Sequence, residues 1–83
     1  MLRQPITHEL KLAKTYFELA EKGIKNFELR FDDRDFLMGD TLIVKEFVKK
    51  KLTGKSITRR ITYILRSFKG LQSGYVILQL EEL

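Results

Sequence analysis

The stretch KTYFELAEKGIKNFELRF, residues 14–31, changes its hydrophobic period part-way along, and that change decides the fold. Over residues 14–22, Tyr16, Phe17, Leu19 and Ala20 recur at helical spacing and form one apolar stripe on a short helix. Thr15 and Glu18 have the spacing of a capping box, and Gly23 stands where a helix C-terminal glycine belongs. Past the glycine the period falls to two. Phe27, Leu29 and Phe31 alternate with Asn26, Glu28 and Arg30, which predicts a strand.

The flanking sequence is strand-like on both sides. Ile6, His8, Leu10 and Leu12 alternate with Thr7, Glu9 and Lys11. Residues 32–40 are polar, end in Gly39-Asp40 and read as loop and turn. Residues 41–48 are rich in β-formers, and residues 49–55 read as a hairpin connection that places Lys49, Lys50, Lys51 and Lys55 at its tip. Ile57, Ile61, Tyr63 and Leu65 then alternate against Thr58, Arg60 and Thr62. After a glycine-punctuated loop at 66–74, Val76, Leu78 and Leu80 share one face of a last strand. One short helix among about five strands predicts a mainly-β (α+β) domain, a small curled sheet or barrel with the helix across it. The 83 residues allow one domain, 1–83. One detail disturbs the pattern: the alternation that buries Ile57 and Ile61 also turns Arg59 inward. Either a bulge interrupts that strand or the arginine projects into a cleft, and a bulge is the expectation.

Composition excludes several kinds of chemistry. Without cysteine there is no disulfide framework, thiol nucleophile or Cys-based zinc site. His8 is the only histidine, so no metal site or cofactor is expected, and a strand-edge or hydrogen-bonding role fits it better. Asp32, Asp33, Asp35 and Asp40 lack EF-hand spacing and read as turn formers. The first ten residues lack the apolar core of a secretory signal, and no apolar run approaches a membrane span, so a cytoplasmic protein is expected. Charge is uneven. Residues 1–40 carry seven basic and eight acidic side chains, and the remainder carries nine and three. A field of that shape attracts polyanions, although a solvated basic hairpin would look the same.

Chemistry concentrates where the helix gives way to the strand. Glu28 and Arg30 share a strand face about 7 Å apart, and Lys25 enters from the turn. Lysine offers a mobile positive point for phosphate and arginine a flat fork for phosphate or a base edge, while a carboxylate can accept from an exocyclic amine. The plain alternative is a surface ion pair of Glu28 with Arg30 and a solvated Lys25.

Gly23-x-Lys25-x-x-Glu28-x-Arg30 resembles the signature of the ASCH domain (activating signal cointegrator homology), a branch of the PUA-like folds. His8-Glu9-Leu10-Lys11, Tyr16-Phe17, Asp33-Arg34-Asp35-Phe36 with Gly39-Asp40, Thr62-Tyr63-Ile64-Leu65 and Gly74-Tyr75-Val76 are similar, in the same order, to a compact bacterial and phage subgroup. The resemblance implies a PUA-like β-barrel with a cleft beside the helix, lined by Lys25, Glu28 and Arg30, with Gly23 and Gly39 as turn residues. It also implies binding of RNA. Some small bacterial members are similar to amidohydrolases that deacetylate acetylcytidine, which would give Lys25 and Glu28 catalytic roles. This chain departs from them at Glu28, where they look to have threonine, and in its short 66–74 link, where they carry a helical insertion.

Three functions follow as alternatives. The first is an RNA- or nucleotide-binding module using Lys25, Glu28, Arg30 and, if it projects into the cleft, Arg59, with Lys49, Lys50, Lys51 and Lys55 of the hairpin on phosphates. The second is a small amidohydrolase, and the third a protein-interaction adaptor. The oligomeric state is left open.

Overall fold

The computed structural model describes residues 3–83. Strand β1 (Thr7–Ala13) passes without a loop into helix α1 (Lys14–Glu21), and β2 (Phe27–Phe31), β3 (Thr41–Val48), β4 (Lys51–Leu65) and β5 (Tyr75–Glu82) follow. The five strands form one sheet in the order β1-β3-β4-β5-β2. β1 runs parallel to β3, and the other pairings are antiparallel. This is the mainly-β architecture that the alternating segments predict. The sheet curls without closing. β1 and β2 are its edges, yet Arg30 of β2 donates from Nη2 to the Lys11 carbonyl of β1 at 2.8 Å. Among the described residues no helix is long and apolar enough to cross a membrane.

The core lies inside the curl. Leu10 and Leu12 of β1, Leu42 and Val44 of β3, Ile61 of β4 and Val76, Leu78 and Leu80 of β5 point inward. Phe17 and Ala20 of α1 and Phe36 of the 32–40 loop cover them. A side chain as fully buried as Phe17 contributes about 2–3 kcal/mol of hydrophobic stabilisation.

The helix ends as expected but begins differently. Gly23 has φ +77° and donates to the Ala20 carbonyl at 3.0 Å, while the Ile24 N–H reaches Leu19 at 2.9 Å, a Schellman closure. The capping box does not form. Ala13 occupies the N-cap, because β1 runs straight into α1 and leaves Thr15 already inside the first turn. With eight residues the helix buries only Phe17 and Ala20, and Tyr16 stays half exposed.

β4 departs most from its sequence reading. Val48 pairs with Lys51, so the hairpin turn is Lys49–Lys50 alone, with φ of 49° and 67°. Lys51 and Lys55 belong to the strand rather than to the tip. The extra residues are absorbed as a bulge: Thr53, Gly54 and Lys55 stand opposite Glu46 alone, between the pairs Phe47–Leu52 and Lys45–Ser56. Register is unbroken from Ile57 to Arg60, so no bulge rescues Arg59. The second bulge comes later, at Thr62 between the Ile61–Leu80 and Tyr63–Gln79 pairs. It flips the strand's parity, so Tyr63 faces outward instead of following Ile61 into the core.

Candidate functional site

The Schellman turn fixes where Lys25 sits. Its backbone N–H also reaches the Leu19 carbonyl (3.1 Å), and Asn26 Nδ2 ties the loop to the Gly23 carbonyl at 2.7 Å. From that anchored position Lys25 Nζ donates to the Phe27 carbonyl (2.7 Å) and to Glu28 Oε2 (2.5 Å), and lies 5.0 Å from the Phe27 ring centroid.

β2 then presents its polar row inward. Glu28 is 3% exposed, whereas Phe27, Leu29 and Phe31 are about half exposed on the outer face. Arg30 places Nε and Nη2 each 3.2 Å from Glu28 Oε1. Both carboxylate oxygens are therefore occupied, one by each cation. A carboxylate this buried is tolerated because two charged donors compensate its desolvation. Lys25, Glu28 and Arg30 thus converge as the motif predicts, and the plain surface ion pair does not describe them.

The triad borders a groove of about 460 Å³ in the seam between β1 and β2, which Lys11, Leu12, Tyr16, Phe27 and Leu29 also line. Three cations against one carboxylate leave the groove net positive. Donors remain: Lys25 uses two of its three N–H groups within the protein, and Arg30 Nη1 makes no hydrogen bond to a described residue. Tyr16 and Phe27 supply exposed rings at the groove's sides. Sequence reading placed Tyr16 in the helix stripe, and the short span from the capping segment to Gly23 was the available sign that one stripe member would be left outside.

The other basic candidates do not join this site. Arg59 turns inward under α1, donates from Nη2 to the Ala20 carbonyl at 3.2 Å and lies 3.8 Å from Glu82, so neither a bulge nor the cleft accounts for it. A cation there complements the last carbonyls of the helix. Lys55 lies 3.4 Å from Glu21 and 5.7 Å from the Phe17 ring. Lys49, Lys50 and Lys51 are exposed at and beside the hairpin turn. None of these five lines the groove.

Asp40 is the polar centre that sequence reading missed. It is fully buried and accepts from Arg3 (3.0 and 2.8 Å), His8 Nε2 (2.8 Å) and the backbone N–H groups of Ile6 and Leu37 (3.1 Å each). Burial pushes its pKa up, but the bonds from Arg3, His8 and the two backbone groups more than offset that and hold it well below the usual carboxylate range. His8, its ring tilted against Phe36 with the centroids 4.8 Å apart, takes the hydrogen-bonding role expected of it. Asp32 likewise accepts from Arg66 and from the Phe36 N–H. Among the described residues no group of His, Cys, Asp and Glu could hold a metal.

Two comparisons with known proteins give the chain's family. A relative from Escherichia phage P2, "Uncharacterized 12.9 kDa protein in GpA 3'region", is 41% identical over 71 residues. That alignment takes in 86% of this chain, which spans 64% of the relative's length. A family described as "Domain of unknown function (DUF3850)" matches residues 7–80, from the start of β1 nearly to the end of β5. The chain therefore belongs to the DUF3850 family.

Proposed function

We propose that the domain binds RNA or a nucleotide-like ligand in the groove between β1 and β2. The observation that carries this reading is the meeting of Lys25 and Arg30 on a buried Glu28, with N–H donors to spare on two residues that line an open, net positive groove. Held cations suit an anionic or polar ligand because their orientation costs nothing further on binding. The resemblance of Gly23, Lys25, Glu28 and Arg30 to the ASCH signature supports the same reading. The lysines at the β3–β4 turn supply a second, sequence-independent contact to phosphates. The amidohydrolase alternative is less favoured. For attack, Lys25 Nζ would have to leave both Glu28 and the Phe27 carbonyl, whereas binding requires neither departure.

Fluorescence anisotropy with structured and single-stranded RNA tests the proposal. Binding at about 50 mM salt should weaken steeply as salt rises. Lys25→Ala should cost roughly tenfold in affinity, as loss of a charge-assisted contact does. Absence of binding by the unaltered protein at low salt would refute the reading.

A further inference from the structure

The outer face of the sheet carries a row of side chains that starts at Phe27, on the groove's rim, and leads away from the groove. Phe27 of β2 stands opposite Gln79 of β5, and Gln79 stands opposite Tyr63 of β4, so the three lie in line across three strands. Phe27 and Tyr63 are about half exposed. Between them is a hollow of about 520 Å³, which Leu65 and Ile77 also line and Asn26 borders. Its existence depends on the bulge at Thr62, without which Tyr63 would point into the core.

The chemistry of this hollow is specific. Two flat rings flank it, two aliphatic side chains supply apolar surface, and two amides stand at its edge. Asn26 donates from Nδ2 to Gly23, and Gln79 from Nε2 to Thr62 Oγ1 (3.1 Å). Neither amide oxygen accepts a hydrogen bond from a described residue, so both are available to an N–H on a ligand's edge. No carboxylate is among the six lining residues, and the Lys25 ammonium sits beside the Phe27 ring. Glu81, the next outward residue of β5, stands opposite Arg60. Flat apolar surface, free acceptors and an adjoining cation match an unpaired nucleobase attached to a phosphate backbone.

We infer that this outer hollow is a base-stacking subsite for single-stranded RNA, with Phe27 and Tyr63 as the stacking surfaces and Asn26 and Gln79 reading the base edge. The inference rests on the RNA-binding reading of the groove and extends it. Phe27 lines both the groove and the hollow, so one strand can cross from Lys25 onto the outer face.

The test compares a single-stranded RNA with a duplex of the same sequence, using the unaltered protein, Lys25→Ala, Tyr63→Leu and Tyr63→Phe. Tyr63 is exposed, and leucine keeps its apolar cover while removing the ring. Tyr63→Leu should weaken single-strand binding by at least about fivefold and leave duplex binding unchanged, while Tyr63→Phe stays within about twofold of the unaltered protein. Tyrosine emission of the unaltered protein should be quenched by the single strand. If Tyr63→Leu binds the single strand normally while Lys25→Ala does not, the subsite falls and the groove reading stands. If the unaltered protein binds neither RNA, both fall. If Tyr63→Leu instead turns a dimer into a monomer in sedimentation with RNA affinity unchanged, the face is a contact between copies and the subsite falls.

Discussion

Glu28 and Asp40 are two buried carboxylates that the chain handles in different ways. Glu28 is held by Lys25 and Arg30, whose own side chains are 14% and 26% exposed, so the triad is closed on one side and open on the other. Removing the carboxylate would leave two cations facing each other with little water. Glu28→Gln should therefore cost about 3 kcal/mol in urea denaturation, more than a surface pair would. Asp40 is enclosed on all sides and links the chain before β1, the end of the 32–40 loop and His8. Its pKa lies below the ordinary 3.8, so folding favours its ionised form. That stabilisation is complete above about pH 4 and is lost as acid protonates the folded state. Asp40→Asn should lower stability by about 3 kcal/mol near neutrality and flatten the decline below pH 4, measured by thermal melts across pH. The Lys25–Glu28–Arg30 convergence was legible because a recognised spacing named all three residues. Asp40 was not, since an aspartate after glycine at the end of a polar loop looks like any turn former until the chain before β1 folds back on it.

Elements were legible wherever period alone decides them, and illegible wherever an inserted residue resets the period. β1, α1 and β5 fall within a residue or two of where alternation and Gly23 place them. β4 does not: its two bulges break a strict count of two, and the one at Thr62 places Tyr63 outside, while Arg59, in unbroken register between them, points inward as the alternation requires. β2 shows the alternation, but which row faces inward is a tertiary matter: Lys25 and the Lys11 carbonyl give the polar row partners across the seam. The β3–β4 turn suggests a further test. Lys49 and Lys50 both hold positive φ, which costs L-residues other than glycine and asparagine roughly 1–2 kcal/mol each. Replacing the pair by Asn-Gly should raise stability by about 1–2 kcal/mol in chemical denaturation. If the turn lysines contact phosphates, the same variant should lose part of its RNA affinity in high-sensitivity anisotropy.

At the scale of the molecule, the curl of the sheet turns a local motif into a site. β1 and β2 are opposite edges in strand order, yet Arg30 spans them, and the gap between them is the groove. A flat sheet of the same strands would keep Lys25 and Arg30 on Glu28 but would part Arg30 from the Lys11 carbonyl and leave no groove between the edges. The strong positive charge of residues 45–69 overstated the site, because those cations disperse over the hairpin turn, the helix C-terminus and the 66–74 loop. What the charge asymmetry supplies is a general attraction for polyanions, while the groove supplies a place to hold one. The most direct measurement is an amide-resolved NMR titration of the unaltered protein with single-stranded RNA at low salt. The groove reading requires the largest shifts at Lys11, Lys25, Glu28 and Arg30, with smaller ones at the β3–β4 turn. Shifts confined to Lys49, Lys50, Lys51 and other exposed lysines, with the four groove amides unmoved, would contradict it.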